Sequence, residues 1–586
     1  MRDPLALAQR ILRPAQPIPR VVNATSPAYR IGDRAGFWVS DGTQATPVHF
    51  ILTATLRYVT PHVYIWVQDD YLFDQATLAR SAERFETQTY PTNRRYFGSE
   101  PLPGVDNDPH LSILNGHVPG VVGYFYSPNE YSRLVNPFSN EREIFFINLD
   151  SAKFGSTAYD AVLAHEFQHM IHWNNDRNEE AWVSEGMSKL AETLNGFSVS
   201  GPIESFLRRP DTQLTTWALH GEDSGPHYGA SYLFMAYFLQ RFGEPALATV
   251  SQSALNGGAG FDVALRAAGR SERFDDVFAD WVVANYLNDA ALAGGRYGYR
   301  DVKLSRPTVM ATHAQYPVEG AGDVRQYGAD YIVLNGNAAR GLSVEVEGQA
   351  ETRLAEMTPP AGRWTWWSNR GDQTDCSLTH AFDLRNVGQA TLTYRLWYDI
   401  EEDWDYAFVL ASTDDGQSWD LLETPAMSRS NPNGNSLGPA YTGVSGAGDA
   451  PAWLEERIDL SRYAGRRILL RFEQITDDAV NHVGLFLDDV RIPEIGFQDD
   501  MEAGEGAWQA AGFVRTDNRL PQRYLAQVIE YAGGTPTVRR MTLDATQRGQ
   551  ITLEPLTGGV AVLIVSALAP ATTQSAPYRY RISVAP

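Results

Sequence analysis

The chain has 586 residues, 43% hydrophobic and 11% aromatic, enough apolar material for three or four folded cores and too much for a disordered chain. Its 71 acidic residues outnumber 48 lysines and arginines, and the resulting net charge of −23 repels nucleic acid and anionic membranes as partners. The single cysteine, Cys376, excludes an intramolecular disulfide and any zinc site built on several thiolates.

No apolar run approaches the roughly 18 residues that span a bilayer, so no integral membrane contact is expected. The N-terminus, MRDPLALAQRILRP, holds only a short apolar stretch and does not read as a signal peptide. Such a chain either stays inside the cell or is a mature form whose leader has been removed.

In chain order, ATPVHFILTATLRYVTPHVYIWVQDD reads as two strands joined near Thr60-Pro61, because β-branched and aromatic residues alternate along it. Helical periodicity covers 73–87, 157–174, 179–196, 228–242 and 273–290. Between the first two helices, EREIFFINLD (141–150) reads as a buried strand leading into the helix from Ser156. Beyond about Arg306 the texture changes to short strands with turn residues every 8–12 positions, as in β-sandwiches. DYIVLNG, ATLTYRLWYD, YAFVLAST, RRILLRFEQI and GLFLDDVRI belong to this pattern, and a Gly/Pro/Ser/Asn loop (428–451) interrupts it. The expected fold is multidomain. An α+β domain (1–306) is followed by a small β segment or linker (307–365), a jelly-roll sandwich (366–497) and a C-terminal β-sandwich (498–586).

The densest chemistry lies in LAHEFQHMIHWNND. On a helix, residues four apart share a face, so His165 and His169 aim two imidazoles at one point, as zinc requires. Glu166 beside them is placed to reach a water rather than the ion, which is the division of labour of an HExxH motif. A third ligand is needed. The metzincin spacing fails, because His172 and Asn175 stand where a glycine and a ligand belong. His172 shares the stripe but lies about a turn beyond the site, and reads as a second-shell neighbour, a rim group or a packed histidine. The next helix, EEAWVSEGMSKLAETL, offers Glu185 after 15 intervening residues, room for a loop and an antiparallel return. Trp182, Met187, Leu190, Ala191 and Leu194 form its core face and leave Glu185 and Glu192 on another side.

HEFQHMI followed by WVSEGMSKLAE resembles the gluzincin metallopeptidases, most closely the hyicolysin-type bacterial peptidases. YPTNRRYFGSEPLPGVDNDPHLSILN and GVVGYFYSPNEY resemble that group too, so the likeness covers roughly 50–290. It implies an α+β zincin-like fold, with zinc on His165, His169 and Glu185, Glu166 as general base, and Glu192 orienting a ligand from the second shell. It also implies protein or peptide substrates, and an oxyanion donor from GPHYGASYLFMAYFL, where Tyr228 is preferred and His227 is the neighbour. The aminopeptidase anchor G-x-M-E-N is absent, which favours an endopeptidase. GVVGYFY (120–126) is the candidate edge strand for pairing with an extended substrate.

In the β-rich half, Ser412-x-Asp414-x-Gly416-x-x-Trp419 fits an Asp-box hairpin turn, a structural motif. With LFLDDVRI, this segment resembles the jelly roll of immune-inhibitor-A-like secreted metallopeptidases, which makes an extracellular location the expectation. Acidic loops at Asp403, Asp405, Asp488 and Asp489 are candidate calcium ligands. The competing reading is a non-catalytic surface adhesin with a vestigial protease domain. The intact His-Glu-His-Glu set speaks against it.

Overall fold

The structure is a computed structural model describing residues 1–585 except 45, 220, 337–339, 449, 532–534 and 557–558. The chain forms two compact units, one from 1–179, 191–197 and 358–517, the other from 180–190, 198–357 and 518–586.

The first unit holds a six-stranded mixed sheet in the order β1-β2-β3-β4-β6-β5. The strands are β1 (Arg34–Asp41), β2 (Val48–Val59), β3 (Val63–Gln68), β4 (Leu111–Gly116), β5 (Gly123–Phe125) and β6 (Ile144–Asn148). β3, β4 and β6 pair in parallel and are buried nearly throughout. That burial explains their continuous apolar composition, since a parallel strand is covered on both faces. β5 pairs antiparallel with β6 and forms the edge. Helices α1 (Pro4–Ile11), α2 (Gln75–Arg84), α3 (Tyr90–Phe97), α4 (Thr157–Asn175) and α5 (Ala181–Leu194) complete the N-terminal part, with a π turn at Phe85–Thr89 linking α2 to α3. Tyr90 of α3 stacks on Phe167 of α4 with ring centroids 5.3 Å apart.

Residues 358–517 form a two-sheet sandwich in the same unit. One sheet is built around 391–399 and 484–492, the other around 406–412, 467–475 and 375–383. The expected boundary at 497 moves to about 517, because strands Gln509–Ala511 and Val514–Thr516 pair into these sheets. The Asp-box is structural, as expected. Asp414 accepts hydrogen bonds from the Ser412 hydroxyl at 2.7 Å and from the Ser418 amide at 2.9 Å, while buried Trp419 carries the Arg471 guanidinium 4.1 Å over its ring.

α1 was not foreseen. Its N-terminus is capped by Asp3, and Leu7 and Ile11 bury against Tyr406, Phe408 and Trp419 of the sandwich, while Arg10 pairs with Glu473. The eight-residue segment is too short to hold a helix alone, so its packing stabilises it.

The second unit carries helices Ser200–Arg208, Gly225–Phe242, Glu244–Ser251, Gly257–Ala267 and Phe274–Leu287 around an aromatic core, with Trp182 stacked on Phe261 at 5.6 Å. Its sandwich overturns one expectation. Residues 307–365 are neither linker nor separate segment, because strands 318–324 and 342–348 pair with 576–584, and 330–335 pairs with 560–567. Ile332, Val344, Val528, Leu563 and Ile582 share one core, which neither stretch could close alone.

Leu7, 2% exposed, should be the anchor of α1. Leu7→Ala is expected to cost about 2–3 kcal/mol of unfolding free energy in denaturant titration. Leu12→Ala, at a site 48% exposed, should change it by under about 0.5 kcal/mol.

Candidate metal centre

α4 starts where Ser156 caps it, its hydroxyl accepting the Tyr159 amide at 3.1 Å. Every residue from Leu163 to Gln168 is buried, histidine and glutamate included, because the helix is covered on several sides. The rings of His165 and His169 stand 77° apart with their Nε2 atoms 3.1 Å from each other. A tetrahedral zinc with Zn–N of about 2.0–2.1 Å holds two nitrogens about 3.3 Å apart, so the pair is spaced for one shared ion.

His165 Nδ1 lies 3.0 Å from Glu192 Oε1. With Nδ1–H donating to the carboxylate, the Nε2 lone pair is left to the ion, and the ring cannot rotate away. Glu185 lies two turns earlier on the face of α5 that presents Glu192. His165, His169 and Glu185 each offer a ligand atom, and these atoms lie within 4.8 Å of one another. Two imidazoles and a carboxylate are a donor set that suits zinc with a fourth position open.

Side chains that the sequence did not advertise hold this geometry. The Asn93 amide donates to the Ala164 carbonyl at 2.8 Å, one residue before His165, and Asn195 donates to Asn93 Oδ1 at 2.9 Å. This buried relay ties the end of α5 through α3 to α4. Near the start of α4, Asp160 accepts the Ser81 hydroxyl at 2.7 Å. Asn195 falls inside the helical stretch expected at 179–196, and nothing in the sequence signals that its amide reaches another helix.

His172 is 1% exposed, and among the described residues neither ring nitrogen has a hydrogen-bond partner. Burial, with the charge of His169 adding to it, pushes its pKa down to about 3, so it is a neutral packed side chain and not a rim group. His227 is buried, with Nδ1 3.1 Å from the Thr216 carbonyl, and burial lowers its pKa. Tyr228 is half-exposed, and the Lys189 ammonium lies 5.0 Å over its ring. Lys189 follows Glu185 by one turn of α5, and Gly186 abuts Ser231, where an added Cβ would stand 2.9 Å from the Ser231 carbonyl. Tyr228 therefore rises beside the Glu185 face of α5. Glu166 is buried next to His165.

The expected calcium ligands do not assemble as proposed. Asp405 groups with Glu401 and Asp477, their ligand atoms within 4.8 Å of one another. Asp403 accepts the Thr46 hydroxyl at 3.4 Å, and Asp489 pairs with Arg491 at 2.6 Å and Arg395 at 3.7 Å. Asp488 is buried beside Asp489, whose amide it accepts at 2.7 Å. Asp477 is 72 residues from Asp405, too far for a sequence pattern to pair them. The three carboxylates suit a hard, oxygen-seeking cation such as calcium.

Residues 330–518 match the immune inhibitor A-like MAM domain family. The MAM-like match takes in the whole 358–517 sandwich. The pre-pro-metalloprotease PrtV of Vibrio cholerae serotype O1 is 30% identical over 165 residues, 28% of this chain and 17% of PrtV. Immune inhibitor A of Bacillus thuringiensis subsp. alesti is 30% identical over 162 residues, 27% of this chain and 22% of that protein. Bacillopeptidase F of Bacillus subtilis is 26% identical over 103 residues, 18% of this chain and 6% of that protein. The chain thus spans less than a quarter of the length of these relatives, and the similarity to PrtV and immune inhibitor A lies in the C-terminal region.

Two expectations follow. Burial, with the charge of Asp372 adding to it, pushes Asp405 up to about 8, and burial with the neighbouring carboxylates likewise raises Glu401 and Asp477. Raised acids keep their protons longer in the folded state, so the contribution of Asp405 is complete below about pH 4 and is lost by about pH 8, while those of Glu401 and Asp477 go on being lost above it. In calcium-free buffer the melting temperature should fall over that range, and added calcium should restore it at pH 8 with little effect at pH 5. Separately, His172→Leu should keep bound zinc at the wild-type level by metal analysis, whereas His169→Ala should lose most of it.

Proposed function

We propose that the chain is a zinc-dependent endopeptidase of the hyicolysin-like gluzincin kind, with His165, His169 and Glu185 as ligands. The observation that carries this is the facing pair of imidazole Nε2 atoms at 3.1 Å, one ring fixed by Glu192 and both grouped with the Glu185 carboxylate. The name of PrtV, a pre-pro-metalloprotease, supports a peptidase, with peptide or protein substrates.

Zinc bound there would polarise the scissile carbonyl and acidify a water molecule. Glu166 takes the proton of the attacking water and passes it to the leaving amine, which is why a carboxylate must sit beside the first ligand. Glu192 holds His165 in one tautomer and one orientation throughout. Tyr228 donates its hydroxyl to the oxyanion of the tetrahedral intermediate. β5, the sheet edge next to α4, pairs with an extended substrate backbone. In the MAM-like sandwich, Glu401, Asp405 and Asp477 would hold calcium. The protein acts outside the cell, in keeping with its acidic charge; among the described residues no helix is long and apolar enough to cross a membrane.

Glu166→Gln should leave zinc content unchanged while lowering casein hydrolysis by at least about 10²-fold. Wild-type protein holding less than half an equivalent of zinc after careful purification, or a variant as fast as wild type, would sink the reading.

A further inference from the structure

The loop 428–451, legible in sequence only as a Gly/Pro/Ser/Asn interruption of the sandwich, has a defined first half. Ser428 and Ala440 close its base with two backbone hydrogen bonds, at 2.8 and 3.0 Å. Inside, Asn431 Oδ1 accepts the Ser436 amide at 2.9 Å, and the Ser436 hydroxyl donates to the Gly438 carbonyl at 2.8 Å. This is a compact, self-bonded tongue, the kind of loop that keeps its shape while reaching out from a scaffold.

Its tip, Asn433, is 0% exposed, which is unusual for a polar residue at the end of a loop. The Asn433 carbonyl accepts the Tyr126 hydroxyl at 3.2 Å and the Asn136 amide at 2.9 Å. Its side-chain oxygen lies 3.2 Å from His49 Nε2, and its amide donates to the Asp403 carbonyl at 3.2 Å. Gly434 follows at φ +75°, and an added Cβ there would stand 2.8 Å from both Asn136 Oδ1 and Pro137 Cδ. A second sandwich residue reaches the same segment, because Asp478 accepts the Ser127 hydroxyl at 2.9 Å.

The gripped segment borders the metal-binding helix. Tyr126 directly follows β5, whose Gly123 lies so close to α4 that a Cβ would be 2.5 Å from Val162 Cγ1. Phe125 and Tyr131 meet Trp173, farther along α4, with ring centroids 6.3 and 5.8 Å away. His165 and His169 lie between Val162 and Trp173, so residues 123–131 accompany the stretch of helix that carries both. β5 is a sheet edge only three residues long, and beyond it the tongue's bonds at Tyr126 and Asn136 add to those that Asn129 makes with Asn140 and Arg142.

We propose that the tongue 428–440 is a positioning element of the proteolytic site, with Asn433 and Gly434 its contact residues. It holds Tyr126 and Asn136, and through them the segment that follows β5, the edge along which an extended polypeptide lies. The sandwich thereby contributes to substrate affinity without touching the reacting atoms. This rests on the peptidase reading given above.

The test uses full-length, zinc-loaded protein and three variants. Gly434→Ala pushes the tongue away from Asn136 and Pro137, and Tyr126→Phe removes one grip without leaving a cavity. Gly443→Ala is the control, because Gly443 has nearly the same backbone angle, φ +74°, while its Cβ would meet only Glu402 at an ordinary 3.5 Å. Gly434→Ala and Tyr126→Phe should each raise KM for casein at least fivefold, with kcat within twofold and zinc content unchanged. Gly443→Ala should leave KM unchanged. Amide hydrogen exchange of residues 123–136 should rise in Gly434→Ala and not in the control. Unchanged KM in both grip variants, or equal exchange in Gly434→Ala and its control, overturns the proposal. If wild type cleaves nothing, the peptidase reading fails, and the exchange comparison still decides whether the tongue positions this segment.

Discussion

The hydrogen bond between His165 Nδ1 and Glu192 is the contact on which the site is organised. With Nδ1 as the donor, it would leave Nε2 as the ligand of the proposed zinc, which no feature of α4 alone can achieve. It also sets the rotation of α5 about its axis, because Glu192 can reach His165 only if the face two turns earlier, bearing Glu185, turns the same way. The Asn195–Asn93–Ala164 relay then fixes how far along α4 that face arrives. A buried polar network of this kind is costly when half-satisfied, so once formed it admits one arrangement of the helices.

Much of this was legible in the sequence, for identifiable reasons. Helical spacing alone places His165 over His169, and the apolar pattern of α5 leaves both glutamates on one side. β6 announced itself as a short apolar run, and β2 and β3 by their alternation of β-branched and aromatic residues. What stayed hidden depends on partners far away in the chain. α1 is too short to show a periodicity, and its apolar residues make sense only beside Tyr406 and Trp419. The strands of 318–348 look like an orphan segment until the last forty residues supply their neighbours. Acidic residues were the poorest guide, since a doublet such as Asp488-Asp489 is conspicuous in sequence but spends Asp489 on arginines, while Asp405 finds Glu401 and Asp477 through folding.

His172 shows how far motif reading can go. In sequence it is a third histidine on a metal-binding stripe, whereas in the structure it is buried without a hydrogen bond among the described residues and held neutral. Helical rise decides between these, because one more turn carries it past the point where the other two imidazoles meet. Proximity in sequence to a metal motif is thus weak evidence of participation, and Glu185, on another helix, has the stronger claim.

The docking of α1 has a further consequence for how the molecule is made. α1 is made some four hundred residues before the surface that receives Leu7 and Ile11, which is assembled from residues 406–475, and Arg10 finds its partner only at residue 473. Until then this segment has no folded surface to join. The strands of 318–348 wait in the same way for 576–584. Each unit therefore closes only once its distant segment has been made, and a nascent chain halted before residue 475 exposes apolar surface at each place.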